Sequence, residues 1–244
     1  MANSTPSFIL QEMGIVLGIP QQDPTFFNLD FLTYTGIISN DWELSSQPKR
    51  SPQASQLNFI NDVSLIAEPN QTMFLENLGE KAMDEIQIPK VATRFVDIMK
   101  NINFTRFDIN FRGYVAFPNS PRAAHNYFFK ALLAPGSWHS VGTAPIRAGL
   151  NLVYTFDEKK LNLSVQEAAI RRMDESSIAA IVFSGAFEND YSALAPEARL
   201  AAVQQGIQSW ETDLKQFIDV VSRFFNQPQK SEPQSAAPTT IPLN

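Results

Sequence analysis

A chain of 244 residues with no cysteine excludes disulfides, thiolate metal sites and cysteine nucleophiles by counting alone. Its 19 basic and 25 acidic side chains give a net charge of −6 with no long block of like charge, which argues against nucleic acid as a partner. Hydrophobic residues make up 44 % and Phe occurs 19 times, enough for a buried core in which rings pack between layers or line a cavity.

Met1 to Ser7 lacks the cationic start and apolar core of a signal peptide, and no run approaches the ~18 apolar residues of a bilayer span. The expectation is a cytoplasmic protein without membrane contact. Phe8 to Ile19 is apolar, holds Gly14 and Gly18, and stops at Pro20, which predicts a strand. Leu29 to Ile38 is dominated by β-branched and aromatic residues and predicts a second strand. Ser45 to Ser55 carries two prolines and nothing to bury, so it predicts a surface loop; Lys49-Arg50 within it reads as solvated. Leu57, Phe59, Val63, Leu65 and Ala67 alternate with polar residues as in a strand with one wet face, and Thr72 to Leu75 returns as a short partner. Pro89 then opens a helix with Val91, Phe95, Ile98 and Ile102 on one face.

Phe104 to Phe117 alternates most cleanly, with Phe107, Ile109 and Phe111 on one side and Arg106, Asp108, Asn110 and Arg112 on the other. A helix comes next, to about Ala134, ended by Pro135-Gly136-Ser137. Ile146 to Phe156, Leu161 to Ala169 and Ile178 to Phe187 predict an antiparallel meander, its first turn at Asp157 to Lys160. From Pro196 to Phe225, apolar residues at steps of three and four, Leu200 to Phe224, predict one long helix of roughly 45 Å. Beyond Asn226 the composition is rich in Pro, Gln and Ser, and 227–244 is expected to be a disordered tail.

The elements define an α+β class: antiparallel sheet packed against a few helices, with the long C-terminal helix laid across a sheet. Residues 1–226 read as a single domain. Within it, 8–102 and 103–226 each run as several strands closing with a helix that begins at a proline, Pro89 or Pro196, which raises an internal duplication of a strands-then-helix unit without residue-level identity.

Catalytic inventory is thin. His125 and His139 stand in no metal-ligand spacing, no phosphate-binding glycine loop or G-x-S-x-G elbow occurs, and carboxylate pairs such as Asp108 with Asp157 read as solvated. No cofactor and no metal are expected. Three functional expectations stand in order. The first is a non-enzymatic protein-binding component, an assembly, adaptor or regulatory protein, using the narrow seam Leu200, Val203, Ile207 and Trp210. The second is a small-molecule binding domain with an aromatic-lined pocket under the long helix. The third is a hydrolase-like enzyme using the 135–142 loop, where Ser137, His139 and Ser140 lie together. Arg106, Arg112 and Arg147 are the candidate patch for an anion or an acidic partner. A homo-oligomer is compatible with these features, but a parallel coiled-coil dimer is disfavoured because Glu211 and Asp213 flank the seam without complementary Lys.

Overall fold

The computed structural model describes residues 7–118, 120–157, 159–171 and 176–225. The expected tail at 227–244 lies outside them. Nine strands form one antiparallel sheet in the order β2-β3-β4-β5-β1-β6-β9-β8-β7, with helices packed on it, and the fold is α+β as expected. The strands are β1 (Phe8–Gly18), β2 (Lys49–Arg50), β3 (Ser55–Asn58), β4 (Val63–Glu68), β5 (Gln71–Asn77), β6 (Arg106–Phe117), β7 (Gly149–Thr155), β8 (Lys160–Arg171) and β9 (Ser177–Asp190). The helices are α1 (Leu29–Tyr34), α2 (Ile88–Ile98), α3 (Ala123–Tyr127), α4 (Pro196–Gln208) and α5 (Trp210–Phe225).

The two long strands β1 and β6 pair at the centre, Ile15 opposite Ile109. Outward from that seam the same path is drawn twice. After β1 the chain travels to the periphery and returns through β3, β4 and β5 to pair with β1 again; after β6 it travels out and returns through β7, β8 and β9 to pair with β6. Each run closes with helix, α2 in one case and α4 with α5 in the other.

Alternation assigns the faces. Met13, Ile15 and Leu17 of β1, Phe107, Ile109 and Phe111 of β6, and Phe183 and Phe187 of β9 are buried under the helices. Against them come Phe95 of α2, which meets the Phe74 ring edge-on at 5.5 Å, and Phe217 of α5, which stacks on Phe111 at 5.6 Å. Each fully buried Phe contributes on the order of 2–3 kcal/mol relative to an exposed one. Two glycines let the layers approach: a Cβ on Gly206 of α4 would lie 2.7 Å from the Phe107 ring, and one on Gly185 of β9 would lie 2.6 Å from Phe217.

Five segments differ from expectation. Leu29–Tyr34 is helix, because the Asn28 side chain caps it by accepting from Phe31 N–H at 3.0 Å, and local capping outweighs β-branched composition. The alternating run from Leu57 to Ala67 is two strands, folded back at a turn in which Asp62 takes a φ of +67°. The surface segment Ser45–Ser55 contributes a short strand, Lys49–Arg50, to the sheet edge. The C-terminal helix is broken at Ser209: its hydroxyl donates to the Gly206 carbonyl at 3.0 Å, and α5 starts afresh at Trp210. Residues 128–132 continue α3 as a π-turn, so the helix expected to reach Ala134 is short and irregular.

Candidate functional site

Strand β7 is the end of the sheet, with β8 on one side and, among the described residues, no strand on the other. Its hairpin to β8 closes with Phe156 N–H donating to the Lys159 carbonyl at 2.8 Å. That makes Phe156 and Lys159 a hydrogen-bonded pair, so alternation turns the backbone groups of Leu150, Leu152 and Tyr154 toward β8. The N–H and C=O groups of Gly149, Asn151, Val153 and Thr155 therefore face outward. The strand contains no proline and no charge, and Val153 is 64 % exposed. Leu150, Leu152 and Tyr154 are half-buried on the helix face.

Beside this edge lies an open groove of about 480 Å³ beneath α5, lined by Leu132, Tyr154, Phe156, Val220 and Phe224. Burial pushes the Tyr154 phenol up, and the Asp219–Arg223 pair, 2.9 Å apart, marks the groove's polar rim. An ion pair with a buried carboxylate holds edge and helix together: Lys159, half-buried between β7 and β8, reaches Asp213 of α5 at 2.7 and 2.9 Å and the Ser209 hydroxyl at 2.9 Å. Asp213 is 1 % exposed. Its carboxyl is raised by burial, opposed by the hydrogen bond and charge of Lys159. The helix break and the hairpin turn are thus tied at one point.

The expected sites fall elsewhere. Val203 and Ile207 are 0 % and 1 % exposed, and Leu200 and Trp210 pack half-buried on the same core, because α4 lies on β6 and α2. The seam read as a partner surface is therefore an internal contact; spacing along a helix does not tell core from interface. Asp213, read as an acidic flank of the seam, is buried where α5 meets Lys159 of the β7–β8 turn.

Arg106, Arg112 and Arg147 do not converge. Arg106 binds Asp108 at 2.9 Å and Gln71 at 2.9 Å, and Arg112, about 20 Å farther along β6, stands opposite Glu12. Arg147 precedes β7, separated from β6 by β8 and β9. Asp108, read as solvated, is 7 % exposed, and its Oδ1 has no hydrogen-bond partner among the described residues. Burial raises its pKa to about 6 against the pull of Arg106, with Glu188 opposite adding to the rise.

The two histidines, fourteen positions apart in sequence, line one cavity of about 230 Å³ with the Phe129 ring between them. His125 Nδ1 lies 3.3 Å from Glu167. His139 Nε2 has no hydrogen-bond partner among the described residues, and the Ser140 hydroxyl donates to the Ser137 carbonyl at 2.9 Å. The Ser140 proton is thus given to the Ser137 carbonyl and not to the imidazole that nucleophilic chemistry in this loop would need. Among the described residues no group of three or more His, Cys, Asp or Glu is arranged to hold a metal, and no helix is long and apolar enough to cross a membrane.

No family model and no curated protein matches this chain.

The β7 edge is not legible in the sequence, because edge status is set by strand order, which is non-local. The one local signal is the absence of charge and proline from 149–155.

Proposed function

We propose that this chain is a non-enzymatic protein-binding component that takes a strand onto the β7 edge. The carrying observation is that edge itself: seven residues long, uncharged, and presenting outward N–H and C=O groups beside an apolar groove. Natural sheets guard such edges with Lys, Pro or short length, and an unguarded one is the geometry of strand addition. Main-chain hydrogen bonds supply affinity in this mode, and the groove under α5 reads the incoming side chains. The test is affinity capture with the full-length chain and with Val153→Lys, which sets a charge on the edge without entering the core. Partners bound by the first and lost by the second support the reading. An identical set with both would sink it.

A second reading, a small apolar ligand in the same groove, is favoured by its three aromatic walls, Tyr154, Phe156 and Phe224. Val220→Arg would place a charge there. Retention of an apolar fluorescent probe by that variant would count against the ligand.

A further inference from the structure

Resting on the strand-addition reading, we infer that the occupant of the β7 edge is a second copy of this chain, paired antiparallel to the first about Leu152.

The outward groups set the register. Gly149, Asn151, Val153 and Thr155 have the outward N–H and C=O groups, so odd positions must meet odd positions. Residues directly opposite share a face, so this parity also keeps the helix layers of both copies on one side of a continuous sheet. Of the registers it allows, the one centred on Leu152 pairs every residue of the strand. Gly149 meets Thr155, Asn151 meets Val153, Leu150 meets Tyr154, and Leu152 meets its own copy. The pairing supplies about eight backbone hydrogen bonds. It also joins the half-buried Leu150, Leu152 and Tyr154 to the same row of the other chain.

Charge chooses the identical copy over an unrelated strand. Nothing within 149–155 is charged, so two copies do not repel. Carried two residues past the strand at each end, the same register sets Arg147 level with the second copy's Asp157, and Asp157 level with the second copy's Arg147. Both side chains are exposed in the single chain. A register fixed by backbone parity and strand length alone thus brings opposite charges together twice. Beyond Tyr154, Phe156 falls level with the second copy's Ala148, so the segment entering β7 in one chain lies along the groove under α5 of the other.

Sedimentation over a concentration series of the full-length chain tests this. The wild type is expected to dimerise. Val153→Pro removes one outward N–H and leaves the β8 ladder intact, and it should sediment as a monomer with an unchanged circular dichroism spectrum. Arg147→Asp and Asp157→Arg do not touch the core, and each turns two attractions into two repulsions. Either alone should weaken dimerisation about tenfold. Mixed with each other they should restore it, because 147 of each variant then faces an opposite charge at 157 of the other. A dimer that none of these changes alters would put the interface elsewhere and overturn the inference. So would a wild type that stays monomeric throughout; capture of another protein by wild type but not by Val153→Lys would then show strand addition surviving with a different occupant, and its absence would remove both readings.

Discussion

Running outward from the β1–β6 seam, the first half of the sheet passes through β5, β4 and β3 and ends on β2, whereas the second passes through β9, β8 and β7 and ends there. The extra element is two residues, Lys49–Arg50, both exposed. Arg50 donates to the Thr25 carbonyl at 2.8 Å, which ties it to the surface. A short cationic strand is a poor template for a further strand, while seven uncharged residues are a good one. The same path of chain therefore ends closed on one side and open on the other, and the difference lies in the strand added beyond β3, which has no counterpart beyond β7 among the described residues.

The halves also solve one interior problem differently, and this predicts the largest effects. Each fixes its helix to its sheet through a buried carboxylate. In the first half it is on the strand: Glu76, fully buried, accepts from the N–H groups of Gln87 and Ile88 at 2.7 and 3.0 Å as α2 begins, and binds Lys81 at 3.0 Å. In the second it is on the helix: Asp213 binds Lys159. Glu76→Ala removes the acceptor of the Gln87 and Ile88 N–H groups and leaves Lys81 only the Asn61 carbonyl, and Asp213→Ala leaves Lys159 only the Ser209 hydroxyl. Each is expected to cost about 3–5 kcal/mol, read as a fall in Tm of roughly 10 °C. Replacing both members, Lys159→Met with Asp213→Leu, should recover most of that loss, because the desolvation of two charges goes with them. A double variant as unstable as Asp213→Ala alone would show that the pair's geometry, not its charge, sets the helix break.

Asp108, near the seam on the face without helices, gives a smaller effect with a definite sign. Its folded pKa of about 6 lies above its ordinary value of 3.8, so between those values the fold holds a proton that the unfolded chain releases. The stability contributed by this proton is fully present below about pH 4, falls as pH rises to about 6, and is gone beyond. Asp108→Asn should flatten that slope relative to wild type and gain at most about 3 kcal/mol at pH 7. Denaturant melts of both proteins from pH 4 to 7 check it; parallel curves would mean the carboxyl is ionised throughout.

Where period and burial are local, the sequence is legible. The alternation of Phe107, Ile109 and Phe111 gives β6 and its buried face, and Pro89 opens α2 where a first-turn proline belongs. What fails is whatever depends on a neighbour distant in the chain. Leu200 to Ile207 carry the pattern of a seam, but only the placement of α4 on α2 and β6 shows that the seam is internal. Asp213 has no local sign that Lys159, 54 residues away, will bury with it. His125 and His139 line one cavity because α3 and the 137–140 turn lie beside each other, and that placement has no local sign in the sequence.

The contrast between the edges predicts changes that scarcely touch stability. Val153→Lys and the double change Lys49→Val with Arg50→Val are surface substitutions, each expected to alter folding free energy by no more than about 0.5 kcal/mol. Their effects on association should be opposite. A lysine on β7 copies the guard that β2 carries and should reduce self-association, whereas stripping both charges from β2 gives the first half an apolar end and should raise it. Light scattering at matched concentrations distinguishes the two. If the stripped β2 associates no more than wild type, the guard there is length and not charge: two residues offer too few hydrogen bonds to hold a partner strand, and the second half differs from the first because β7 is long before it is uncharged.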